Sequence, residues 1–115
     1  MTVVSWMVAI VLLMSGLPGL ARAAGTGDAA KGKLLFDKHC LVCHGPRGKG
    51  DGPTGRALIP PASDFTADAS RKKSSTELRR IIEQGSPRTA MPAWKGQLSE
   101  EQLSDVAGYV ETLRK

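Results

Sequence analysis

The side chains best suited to chemistry lie together in the sequence Cys40-Leu41-Val42-Cys43-His44. Two cysteines separated by two residues and followed directly by a histidine form the pattern of a c-type haem attachment site. On one helical turn both thiols point to the same side, where they can add to the two vinyl groups of a porphyrin. The adjacent imidazole can then bind the iron as its proximal ligand. The motif therefore predicts one haem c, bound covalently to Cys40 and Cys43 and ligated by His44.

The same cysteines have three other interpretations: a thioredoxin-like dithiol, half of a zinc site, or a plain disulfide. A zinc site needs about four nitrogen or sulfur ligands, and the chain has only two cysteines and two histidines. Because His39 adjoins Cys40, all four ligands would have to come from residues 39–44. A redox dithiol is expected in a βαβ setting, and no strand pattern flanks this motif. Haem attachment is the favoured interpretation.

Met91 is the candidate for the second axial position of the iron, because the other three methionines lie within residues 1–14, in the predicted leader. It lies in a loop, well separated from His44 and next to Pro92, which restricts the backbone. A lone methionine is usually core filler. His39 is a competing ligand, but its neighbour Cys40 holds it on the attachment side. A histidine–methionine pair occupies both axial positions, which favours electron transfer over binding of oxygen or peroxide.

The N-terminal residues predict a secretory leader that is removed from the folded domain. The apolar run of residues 3–17 is shorter than the ~20 residues of a membrane-spanning helix. Residues 21–23, Ala-Arg-Ala, are typical of a signal-peptidase site with cleavage before Ala24. No lysine or arginine precedes the apolar run, so a retained membrane anchor is the alternative. We expect a signal peptide at 1–23 and one domain at 24–115.

Three helices are predicted to position the motif and Met91. The first is capped by Asp28 and ends near His39, with the haem motif at its C-terminal end. Residues 74–77 and 99–102 have the pattern of capping boxes, which open a middle and a last helix. No strand pattern or repeat is present, and few aromatic residues follow the leader, so a buried porphyrin would complete a small core. The sequence predicts an all-α domain of three main helices with long loops around one haem.

The glycine-rich segment 45–55 connects the motif to the rest of the chain. It lacks the G-x-x-x-x-G-K-[ST] spacing of a phosphate-binding loop and follows no strand, which disfavours nucleotide binding. We expect its glycines to let the backbone run close to a porphyrin edge. The carbonyl of Pro53, held in a rigid turn, is expected to accept a hydrogen bond from His44.

The charge of the chain indicates protein partners. The net charge is +5, but basic and acidic residues are interspersed and no helix has a continuous basic face, which disfavours nucleic-acid binding. Arg47 and Lys49 follow the motif, and Arg88 and Lys95 flank Met91. Taken singly, each of these four basic residues is explained as an ordinary side chain in contact with solvent. Together they predict a basic rim that steers an acidic partner face towards the haem.

With these features the chain resembles the bacterial class I (mono-haem) cytochromes c over residues 28–113. The resemblance implies a small cytochrome c fold whose first and last helices cross at close range. It also implies roles for particular residues: Gly32, Phe36 and Tyr109 at the helix crossing, the Pro53 carbonyl as acceptor for the proximal imidazole, Trp94 near the haem edge, and Arg56 as a propionate partner.

The function that the resemblance implies is that of a periplasmic electron carrier between respiratory or periplasmic oxidoreductases, without enzymatic activity of its own. The first alternative is a fixed haem subunit of a larger oxidoreductase complex. A haem-based catalyst or gas sensor is the second alternative, and it would require Met91 to leave the iron. A membrane location is expected only if the leader is retained as an anchor.

Overall fold

The computed structural model describes residues 27–115, so the predicted leader and its cleavage site lie outside the described residues. The described chain forms five α-helices and one short 3-10 turn. Three are the expected main helices, and the two four-residue helices were missed. None of the five is long and apolar enough to cross a membrane. The elements are α1 (Ala29–His39), α2 (Leu41–His44), the 3-10 turn (Gly55–Ala57), α3 (Asp68–Arg71), α4 (Ser75–Gln84) and α5 (Glu100–Leu113).

The helix starts follow the capping residues that the sequence predicts. Asp28 accepts hydrogen bonds from the first amides of α1 at 3.0 and 3.2 Å. Ser99 and Gln102 form a complete capping box at the start of α5. At α4 the hydroxyl of Ser74 accepts from the amide of Glu77 at 3.1 Å. In residues 27–115 the Glu77 carboxylate accepts no hydrogen bond from the Ser74 amide, so this capping box is only half formed. Local sequence therefore sets all three main helix starts.

Helices α1 and α5 cross closely, as the resemblance implies. A Cβ at Gly32 would collide with the carbonyl oxygen of Asp105, so only glycine allows this approach. Phe36 is fully buried, and its ring lies 5.2 Å from that of Tyr109, edge to face. The buried Asp105 carboxylate accepts from the amide of Asp28 at 2.7 Å. This bond ties the start of α1 to the middle of α5.

The core consists of apolar side chains from α1, α4 and α5 that face one interior. Arg79 joins α4 to α5 along its edge, with hydrogen bonds to Ser104 at 2.6 Å and to the Glu100 carboxylate at 2.8 Å. Phe65, in the segment before α3, and Leu98, in the segment between α4 and α5, complete this core. The buried apolar residues are Phe36, Phe65, Leu78, Ile82, Leu98, Leu103, Val106, Ala107 and Val110.

Candidate haem-binding site

The cysteine motif forms α2, a single helical turn that begins where α1 ends. Cys40 is both the C-cap of α1 and the N-cap of α2. Its amide donates a hydrogen bond to the Phe36 carbonyl at 2.8 Å. Both cysteines carry free thiols. Burial, with a smaller contribution from Cys43, raises the pKa of the Cys40 thiol to about 11. A dithiol used for exchange has a lowered thiol pKa instead, so this environment disfavours the thioredoxin-like interpretation.

The His44 ring is held by a hydrogen bond at Nδ1 and by a stacking contact on its face. Nδ1 lies 3.1 Å from the carbonyl oxygen of Ser63, and the ring stacks on Phe65 with centroids 4.5 Å apart. Burial lowers the pKa of His44, which favours the neutral ring. A proton on Nδ1 then donates to Ser63 and leaves the Nε2 lone pair available for a metal. The predicted acceptor was wrong: the imidazole bonds to Ser63, and Pro53 is exposed.

The glycine-rich loop wraps around the C-terminal end of α2. Amides of Gly50 and Gly52 donate to the carbonyls of His44 at 2.8 Å and Cys43 at 3.1 Å, carbonyls that have no partner within so short a helix. A Cβ at Gly55 would collide with the Cys43 carbonyl oxygen. Among the described residues no glycine lines the cavities beside α2. At Gly52 and Gly55 the close neighbour of the glycine is the α2 backbone, whereas Gly50 approaches the Ala62 carbonyl. The approach of this loop to a porphyrin edge stays a prediction.

Two adjoining cavities, of about 300 and about 260 Å³, lie between α2, α4 and α5. His44 and Met91 line both cavities. Cys40 lines the first cavity and Cys43 lines the second. The wall of the first cavity is largely apolar and includes Phe36, Phe65, Leu78, Ile82, Trp94, Val106 and Val110.

Met91 is held at the cavities by a closed loop between α4 and α5. The Thr89 hydroxyl donates to the Ser86 carbonyl at 2.7 Å and accepts from the Met91 amide at 3.1 Å. The Ser86 amide donates to the Met91 carbonyl at 3.3 Å. Arg88, at the tip, has a φ of +62°, a left-handed conformation that is uncommon for a residue with a side chain. Sequence analysis did not identify Thr89, although its place two residues before Met91 was visible.

The remaining predicted residues divide between the cavity wall and the surface. Trp94 lines the first cavity, and its ring lies 5.0 Å from that of His39. His39 lines neither cavity, so the competing ligand is not placed at the site. The Arg56 side chain is 81% exposed and lies 4.0 Å from Asp51. The structure does not bring Arg56 to either cavity. The four basic rim residues, Arg47, Lys49, Arg88 and Lys95, are all exposed.

These residues fit a haem c better than a zinc ion. Within residues 27–115 no three His, Cys, Asp or Glu side chains come together as a metal site. The space is instead apolar and extends across two cavities, which suits a flat macrocycle. Each cysteine lines one of the two cavities, Nε2 of His44 has no hydrogen-bond partner in residues 27–115, and Met91 lines the same space from a distant loop.

The sequence is similar to those of known cytochromes and of a cytochrome oxidase subunit. A family model described as cytochrome c oxidase, cbb3-type, subunit III, matches residues 27–110. The chain is 37% identical over 99 residues to the Cbb3-type cytochrome c oxidase subunit FixP of Bradyrhizobium diazoefficiens, covering 84% of this chain and 31% of FixP. It is 30% identical over 95 residues to cytochrome c-554(547) of Halothiobacillus neapolitanus, covering 76% of this chain and 99% of that protein.

The fold is also similar to that of solved cytochrome structures. Cytochrome c6 of the diatom Phaeodactylum tricornutum superposes with a TM-score of 0.60 at 26% identity, covering 76% of this chain and 95% of that one. The chain thus spans under a third of FixP but nearly the whole length of the two small cytochromes.

Proposed function

The chain belongs to the cytochrome c family, as a mono-haem class I member with one haem c bound to Cys40 and Cys43, and we propose that it is an exported carrier of single electrons. The all-α cytochrome c fold that the sequence predicts is confirmed. The proposal concerns the iron ligands, the partners and the location of the protein.

One observation carries the proposal: His44 and Met91 line the same two cavities from separate parts of the chain. In this proposal His44 would hold the iron through Nε2, while the Ser63 carbonyl fixes its other nitrogen. The Met91 thioether binds from the loop before α5. When bound, the haem supplies a one-electron iron couple, and a neutral thioether ligand raises its potential. If His44 and Met91 both held the iron, the protein would leave no open position for a substrate, which agrees with a carrier.

The apolar wall contributes by keeping water away from the iron. Phe36 and Val106 are almost completely buried, and Leu78 and Ile82 of α4 are buried beside them. In a dry and rigid site, few dipoles reorient when the iron changes charge, so electron transfer is fast. The basic rim formed by Arg47, Lys49, Arg88 and Lys95 would bring acidic faces of donor and acceptor proteins to this site.

A second candidate function is that of a haem subunit fixed in a larger oxidoreductase. The match to a cbb3-type oxidase family and to part of FixP favours it. The near-complete coverage of cytochrome c-554(547) favours an independent small protein. In the first candidate the chain works in the periplasm as a free protein, and in the second it works beside the redox centre of its complex.

Size exclusion of native extract distinguishes these candidates. A free carrier elutes near the size of its monomer and is reduced or oxidised fastest by separately isolated enzymes. A subunit co-elutes with an oxidoreductase under gentle conditions. N-terminal sequencing of the same sample tests export: a chain that begins at Ala24 supports a cleaved leader, whereas the full chain in membranes supports an anchor.

A further inference from the structure

Lys73 is a positively charged residue at the two cavities, and the proposed binding of iron by His44 and Met91 gives it no role. Among the described residues that line the two cavities it is the only lysine or arginine, and it lines both. It lies between α3 and α4 and is half-buried, whereas its neighbour Lys72 is exposed and lines neither cavity. The chain therefore places one positive charge where the two cavities meet.

The Lys73 ammonium group has no protein counter-ion. Its Nζ donates to the Ala69 carbonyl at 3.1 Å, and in residues 27–115 no carboxylate lies within ion-pair distance of it. Asp64 is the only acidic residue of the cavity walls in this part of the chain. Hydrogen bonds from Thr66 lower the pKa of Asp64, and Lys49 adds to that effect. The charge of Asp64 is thus stabilised by other groups.

The backbone at Lys73 is fixed by the last helix. Arg114, only 8% exposed, directs its guanidinium to the carbonyl oxygens of Lys73 and, at 3.3 Å, of Arg71. Glu111 pairs with the same guanidinium at 3.1 Å. The base of the Lys73 side chain is therefore attached to the C-terminal end of α5, which contributes Val106 and Val110 to the wall of the first cavity. Its position does not depend on the loop alone.

Haem c carries two propionate carboxylates on one edge, and a buried carboxylate is costly unless a cation or donors pair with it. Arg56, the residue expected to pair with one, is turned to solvent. We propose that Lys73 binds a propionate carboxylate of the haem where the two cavities meet. This inference rests on the covalent haem, and it is independent of which proteins exchange electrons with it.

The test compares holoprotein variants Lys73→Gln and Lys72→Gln, which remove the same charge from adjacent residues. The readout is the pKa of the propionates, obtained from the pH dependence of the reduction potential and from carboxylate infrared bands. An opposite charge within a few ångströms lowers a carboxyl pKa by about one to three units. Because Lys73 is half-exposed, we expect Lys73→Gln to raise one propionate pKa by about one unit, a tenfold change in proton affinity.

We expect Lys72→Gln to leave that pKa unchanged and Lys73→Arg to restore the low value. Equal shifts in Lys73→Gln and Lys72→Gln would overturn the proposal. The wild-type protein gives a second test, which needs no variant to fold: one propionate must titrate below the other, because only one lies beside Lys73. If neither does, the proposal is wrong. In either case the covalent haem and its visible spectrum remain, so the proposed carrier function is tested separately.

Discussion

Removing the Thr89 hydroxyl should loosen the loop that carries Met91. Thr89→Val keeps the shape of the side chain but deletes the donor to the Ser86 carbonyl and the acceptor for the Met91 amide. A net hydrogen bond contributes about 1 kcal/mol, and an amide left without a partner costs about 1–3 kcal/mol. Because solvent can reach the opened loop, we take a value near the lower end of this range, about 1.4 kcal/mol, as the loss of local stability.

This loss is measurable as easier replacement of Met91 on the iron. External imidazole binds only when the loop is open, so its apparent affinity scales with the open fraction. A destabilisation of about 1.4 kcal/mol raises that fraction tenfold, and Thr89→Val should bind imidazole about tenfold more tightly. The assay is the loss of the weak red iron–sulfur absorption of the ferric protein as imidazole is added.

Two control variants make this prediction specific. Thr112→Val removes a hydroxyl that donates to the Tyr109 carbonyl within α5, far along the sequence from Met91, and imidazole affinity should not change. Thr89→Ser keeps the hydroxyl and should bind imidazole like the wild type. If Thr89→Val binds imidazole no more tightly than Thr112→Val, the hydroxyl does not position Met91 and the reasoning is refuted.

Three further predictions follow from the structure. Met91→Ala should abolish the red iron–sulfur absorption, lower the potential and let the ferrous iron bind carbon monoxide at neutral pH; a wild-type protein that itself binds carbon monoxide would favour the sensor or catalyst alternative. The rate of electron transfer with the native partner should fall as ionic strength rises, since salt screens charges beyond roughly 8 Å, and Lys49→Glu with Lys95→Glu should flatten that dependence; a rate that rises with salt contradicts an acidic partner face. Gly32→Ala should destabilise the holoprotein by about 1–3 kcal/mol in urea unfolding, because the new methyl group meets the Asp105 carbonyl; unchanged stability would mean that α1 and α5 separate without cost.

The sequence predicted the features that depend on neighbouring residues. Caps at Asp28 and Ser99 define where helices begin because each side chain bonds to amides two or three residues ahead. The cysteine motif indicates its cofactor for a similar reason, since its groups lie on one turn. The close α1–α5 crossing came from the family resemblance, which assigned Gly32 to the contact.

The features that sequence analysis missed depend on contacts between distant segments. The acceptor for His44 is a backbone carbonyl at Ser63, and any residue can supply a carbonyl, so no residue type marked it. The Gly52 and Gly55 contacts with α2 likewise became visible only after the loop had folded back. Lys73 was one of several lysines in the sequence, and only its place on the walls of both cavities distinguishes it.

The central claim is that one haem is covalently bound through Cys40 and Cys43. The direct measurement is extraction of the purified protein with acidified organic solvent, followed by denaturing electrophoresis with detection of haem. The colour should stay with the polypeptide. In addition, Cys43→Ala should yield little holoprotein, because a chain with so small an apolar core folds poorly without the porphyrin. Colour that leaves the wild-type polypeptide in the solvent would contradict the account.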